Sequence, residues 1–112
     1  MSTQINDPER DSTVDPSAGL DALGDECART ILVATTERPR TAKELTSRTD
    51  SSSATVYRRI NSLLESGLLE ESIRFEEDGS HTTAYEGTVT DLHVSIDTAG
   101  IDVEVTDRPG NR

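Results

Sequence analysis

Between residues 54 and 64 the apolar positions Val56, Ile60, Leu63 and Leu64 fall on one stripe of a helix of about 3.6 residues per turn. Gly67 is placed to stop that helix as its C′ residue. The opposite face holds Thr55, Arg58, Arg59 and Ser62, with Tyr57 at its edge. Upstream, Thr41 stands three residues before Glu44, the spacing of a capping box, and Ala42 and Leu45 share a face. This predicts a short helix ending near Thr49. The run Asp50, Ser51, Ser52, Ser53 competes for the backbone groups a helix needs, so it marks a tight turn with Ser52 or Ser53 as the next N-cap. Residues 41–67 therefore predict two short helices joined by a turn, the second at about 53–66.

The flanking pattern supplies a scaffold. Leu23, Cys27, Ile31 and Ala34 recur at helical spacing, widened by Leu20, Leu32 and Val33, and predict a helix from about Asp25 with acidic residues in its first turn. Pro39 ends the connection to Thr41. Residues 68–77 and 81–89 flank Asp78-Gly79, a hairpin turn signal. Ile73 and Phe75 share one side of the first strand, and Tyr85 and Val89 one side of the second. Leu92, Val94 and Ile96 then alternate with polar residues, Ala99-Gly100 turns the chain, and Ile101, Val103 and Val105 alternate again, predicting a second hairpin. Its six aliphatic side chains need cover from the domain's own helices, from a second subunit or from a partner.

The expected architecture is α+β, a winged helix-turn-helix of three helices followed by a β-hairpin wing and a second C-terminal hairpin. Residues 20–90 form the domain and 91–106 the hairpin extension. Residues 1–19, with Asp7-Pro8, Asp15-Pro16 and Gly19 among polar side chains, are expected to be a disordered acidic tail, and residues 107–112 to fray around Pro109-Gly110.

Composition narrows this picture. The chain of 112 residues is one domain plus tails, and with 31% hydrophobic residues, one Phe, two Tyr and no Trp its core must be small and aliphatic. A single Cys excludes an internal disulfide. No apolar run approaches the roughly 20 residues that span a bilayer, and MSTQINDPER lacks the apolar region of a signal peptide, so a soluble cytoplasmic protein without membrane contact is expected. The net charge of −11 is unevenly spread. Residues 38–59 hold six basic side chains (Arg38, Arg40, Lys43, Arg48, Arg58, Arg59) against Glu44 and Asp50, while the remainder carries 5 basic and 20 acidic residues. Positive charge is thus concentrated on the two-helix element.

Hydroxyls and guanidiniums on the N-terminal half of a second helix are groups that reach base edges and phosphates in a major groove. The stretch SSSATVYRRINSLLESGLLEE resembles the recognition helix and following strand of winged helix-turn-helix transcription regulators of the ArsR and MarR type, especially the small acidic ones of halophilic archaea. The resemblance covers roughly residues 20–90 and is sharpest from Thr55 to Ile60, followed by Leu63, Gly67, Leu68 and Leu69. It implies that Ser52, Ser53, Thr55, Tyr57, Arg58 and Arg59 face DNA while Val56, Ile60 and Leu63 lie in the core. The expected function is that of a sequence-specific double-stranded DNA-binding transcription regulator. Arg58 and Arg59 would contact bases or phosphates, Ser52, Ser53 and Thr55 would position the helix, and Arg40, Lys43 and Arg48 would hold flanking phosphates. A homodimer would read half-sites about one helical turn apart. The wing departs from the pattern: its tip carries Glu76, Glu77 and Asp78, leaving Arg74 and His81 as the candidates for a contact. A weakly engaged wing is expected.

An alternative for the same residues is a winged-helix protein-protein interaction module of the transcription machinery without DNA affinity, using the aliphatic hairpin and the acidic wing. Cys27 on an apolar stripe reads as a small core residue, and with His81 and His93 the only other soft ligands, no metal site or other cofactor is expected. No phosphate loop, nucleophile elbow or His-Glu metal pattern points to an enzyme, and no small-molecule ligand is evident. The acidic excess with a single Lys resembles the bias of organisms that keep molar salt in their cytoplasm. At about 1 M salt the Debye length is about 3 Å, so direct contacts in the groove would have to supply most of the affinity.

Overall fold

The computed structural model describes residues 16–108. In chain order the elements are α1 (Pro16–Leu23), α2 (Glu26–Glu37), β1 (Arg40–Thr41), α3 (Ala42–Arg48), α4 (Ser53–Glu65), β2 (Leu69–Phe75), β3 (His81–Gly87), β4 (Val89–Asp97) and β5 (Gly100–Asp107). Strands β1, β3 and β2 form one antiparallel sheet in that order, and β4 and β5 form a separate ribbon. Helices α2 to α4 with the β2–β3 hairpin make a winged helix-turn-helix.

Each helix boundary has a local cause. Asp25 caps α2 by accepting the Ala28 amide at 2.8 Å. Thr41 and Glu44 form the complete capping box at the start of α3. Of the two serines available for α4, Ser52 is the cap, its hydroxyl accepting the Thr55 amide at 3.2 Å. At the far end Gly67 takes φ +85°, and the amides of Leu68 and Gly67 return to the carbonyls of Leu63 and Leu64, the paired bonds of a Schellman motif.

The core lies where α2, α3 and α4 meet the sheet. Ile31, Leu45, Val56, Ile60 and Leu68 are fully buried, joined by Leu63, Leu69, Tyr85 and Val105. Cys27 is buried among them as a small apolar residue. The wing keeps the predicted turn, with Gly79 at φ +89° and the Glu76 amide bonded to the Ser80 carbonyl. Pairing in register puts Leu69, Glu71, Ile73 and Phe75 on one face with Tyr85, Thr83 and His81. Only the inner end of that face is covered, so Ile73 and Phe75 stand exposed, Phe75 edge-on to His81 at 4.6 Å.

Several expectations need correction. Among the described residues four helices are present, not three: α1 begins inside the segment expected to be a disordered tail, where the backbone of Gly19 lies against Leu92 so closely that an added Cβ would sit 2.4 Å from its Cδ2. Residues 1–15 of that expected tail and 109–112 of the expected C-terminal fray lie outside the described residues. Asp107, expected to fray, ends β5 opposite Val89, and Arg108 bonds Glu86 and the Gly87 carbonyl at 3.0 Å each. Val89 belongs to β4 rather than to the wing, and the second hairpin turns at Thr98-Ala99, one residue earlier than predicted. β1 was not foreseen, because two residues carry no alternation.

Ile60 and Asn61 are neighbours in sequence on opposite faces of α4, one fully buried and one exposed. Ile60→Ala should cost about 2–5 kcal/mol in urea unfolding, and Asn61→Ala should stay within about 0.5 kcal/mol.

Candidate nucleic-acid interface

The buried stripe Val56, Ile60 and Leu63 fixes the rotation of α4. With about 100° per residue, the side most distant from it is the line Ala54, Arg58, Asn61 and Glu65, and all four are exposed. Arg58 projects from the middle of this line, and its Nη2 donates a long 3.4 Å bond to the Thr55 hydroxyl. Ser52 in turn donates to the same Thr55 oxygen at 3.2 Å. The first turn of α4 thus gathers Ser52, Thr55 and Arg58, with Ser53 exposed beside them.

Arg59, one residue on, has a different environment. Its Nε donates to Asp25 Oδ2 at 2.9 Å and its Nη2 to Oδ1 at 3.2 Å, a bidentate bridge from α4 to the N-cap of α2. Hydrogen bonding to Arg59, then the Ala28 amide, holds the Asp25 carboxyl below the usual carboxylate range, and the same bridge raises the Arg59 pKa. Arg40 is 4% exposed, its Nε donating 3.0 Å to the Ala34 carbonyl at the end of α2 and its Nη2 pairing with Glu37. The structure therefore places both arginines, expected to face DNA, where they brace helices: Arg40 against the Ala34 carbonyl and Glu37, Arg59 against the Asp25 carboxylate.

Lys43 and Arg48 remain exposed on α3, and among the described residues neither they nor Arg58 enters an ion pair. A groove of about 650 Å³ between α3, α4 and the sheet brings Lys43 and Tyr57 together with Ser47, Thr82 and Arg74. Arg74 is not available from the wing. Its Nη1 and Nη2 donate to Glu44 at 3.0 and 2.8 Å, and its Nε donates to Glu76 at 3.3 Å. Glu44 therefore closes the α3 capping box and ties α3 to β2 at the same time.

Residues 23–72 match the helix-turn-helix domain family. No curated protein matches the chain. The matched span starts at the last residue of α1 and ends inside β2, so it covers the helix-turn-helix and stops before the wing tip and the second hairpin. Two polar residues of this element escaped the sequence reading. Ser47 reaches the groove one turn after Lys43, and Asn61 lies three residues after Arg58 on the exposed line; in both cases the helical spacing alone was the available signal.

The Glu44 carboxyl is held down to about 2 by the Arg74 hydrogen bonds and, next, by the Thr41 amide. A carboxylate with a depressed folded-state pKa stabilises the fold above its ordinary value of 4.5, and that contribution is lost as the pH falls from there towards 2. Urea midpoints measured from pH 6 to pH 2.5 should therefore decline less steeply below pH 4.5 in Glu44→Gln than in the wild type, with the variant already less stable at pH 6.

Proposed function

We propose that the protein is a sequence-specific double-stranded DNA-binding transcription regulator of ArsR- or MarR-like kind, cytoplasmic and homodimeric, with α4 lying in the major groove. The observation that carries this reading is Arg58: a guanidinium without an ion pair among the described residues, at the centre of the exposed line of a helix whose rotation is fixed by its buried stripe. An Arg so placed bonds guanine O6 and N7 in bidentate fashion. Ser52, Ser53 and Thr55 at the N-terminus of α4 lie where backbone phosphates approach a helix end. Lys43 and Arg48 on α3 then hold flanking phosphates, with Tyr57 at the groove edge. Arg40 and Arg59 serve indirectly, by keeping α2 and α4 in place.

The wing contributes little to this mode of binding. Its tip presents Glu76, Glu77 and Asp78, and its Arg74 is already paired with two carboxylates. Few cations reach phosphate, and the chain as a whole is strongly acidic. Affinity then comes mainly from hydrogen bonds and packing in the groove, which suits a protein working in molar salt.

Titration of labelled duplex drawn from mixed genomic sequence, read by anisotropy, tests the proposal. Arg58→Ala should weaken binding by about 1–3 kcal/mol at the preferred site, whereas Arg59→Ala should chiefly lower thermal stability. Unchanged affinity in the Arg58 variant, or no duplex binding by the wild type at low salt, would overturn the reading. In a salt series, binding by the wild type should remain measurable at about 1 M, since direct contacts are not screened as the counterion term is.

A further inference from the structure

The line of α4 that faces away from the core runs Ala54, Arg58, Asn61 and Glu65, and the proposed function uses only its Arg58. Asn61 is the odd residue on that line. Asparagine is a weak helix former, because its amide competes for backbone hydrogen bonds that alanine or glutamate leaves alone. Here it stands inside the helix, away from both caps, Ser52 and Ser66. Other polar side chains within the helices are occupied: Thr30, Thr35 and Thr46 each donate their hydroxyl to a carbonyl four residues back. The Asn61 amide is exposed and makes no hydrogen bond among the described residues. A residue that works against local propensity without a compensating contact in the fold points to a role outside it.

We propose that Asn61 is a base-reading residue specific for adenine, and that with Arg58 it recognises an adenine and a guanine on neighbouring base pairs of the major groove. The inference rests on the reading of α4 as the helix in that groove and adds to it the identity of a base pair. Only adenine satisfies both halves of a carboxamide from this side, its N6 amino group donating to Oδ1 while its N7 accepts from Nδ2. Guanine offers two acceptors, N7 and O6, so one of them would confront Oδ1. Cytosine offers the N4 donor, and thymine the O4 acceptor beside a methyl group, each leaving half of the amide unpaired in a desolvated groove.

Spacing fits two neighbouring pairs. Three residues of helix rise about 4.5 Å, against about 3.4 Å between stacked base pairs. Arg58, the longer and more flexible of the two side chains, takes up the difference. Its 3.4 Å bond to the Thr55 hydroxyl draws the guanidinium towards the first turn of α4, which leaves the space in front of Asn61 open. Glu65, the next residue on the line, is exposed and repels phosphate, so the helix meets duplex between Ser52 and Asn61. An uncharged amide also suits a chain of net charge −11, since a hydrogen bond to a base edge does not weaken with salt as a phosphate contact does.

Duplexes bound by the full chain can be selected from a randomised library, and the preferred site then titrated by anisotropy with each of the four base pairs at every position. The wild type should select a G·C pair with an A·T pair beside it. Exchanging that A·T pair should weaken binding about 5- to 150-fold. Asn61→Ala should bind the four versions within about 2-fold of one another while still requiring the G·C pair, and it should keep the far-ultraviolet circular dichroism of the wild type. An adenine preference retained by Asn61→Ala, a wild type indifferent to the base beside guanine, or a loss in the variant uniform over all four versions, the mark of a phosphate contact, would overturn the proposal. Each of those results leaves the DNA reading standing. That reading fails on different ones, namely no duplex binding by the wild type or unchanged affinity in Arg58→Ala, and the adenine contact then falls with it.

Discussion

Helix α4 has a single rotational setting, because Val56, Ile60 and Leu63 together fill the space between α2, α3 and the sheet. Turning the helix by one residue, about 100°, would expose an aliphatic side chain and bury an arginine without a partner, each costing kilocalories. Everything offered to solvent by the second helix follows from that setting. It directs Arg58 outward and Arg59 sideways, so two adjacent guanidiniums of the same chemistry acquire unrelated roles.

Arginine pairing distributes the charge of an acidic chain. Arg59 with Asp25 joins α4 to α2, Arg74 with Glu44 joins β2 to α3, and Arg108 with Glu86 joins the end of β5 to β3. Each pair links elements distant in sequence, in a protein whose aliphatic core is small. Among the described residues the cations left outside such pairs on α3 and α4, namely Lys43, Arg48 and Arg58, lie on the helix-turn-helix itself. Segregation of charge along the sequence is therefore sharpened in space: several arginines are paired between elements, and among the described residues a few cations outside ion pairs stand on α3 and α4.

Most of the fold was legible because local signals agreed with one another. The Thr41 and Glu44 spacing, the serine-rich turn, Gly67 and Asp78-Gly79 each specify a backbone conformation with near neighbours only, and each recurs in the structure as expected. Helix α1 was missed because Pro16 and Gly19 signal a coil when read alone; the glycine is instead the place where a helix and Leu92 come into contact. The bracing contacts of Arg40 and Arg59 were not foreseen for a related reason. The Arg59 partner lies 34 residues away, and Arg40 turns inward to a carbonyl at the end of α2, neither of which periodicity reveals. Asn61 was overlooked although the same helical wheel that displays Arg58 displays it too.

Glu44 also sits at a mechanical junction. One carboxylate closes the first turn of α3 and grips the guanidinium of the wing strand, so two elements 30 residues apart share a single anchor. Loss of that one side chain would therefore free the start of a helix and the strand of a hairpin together.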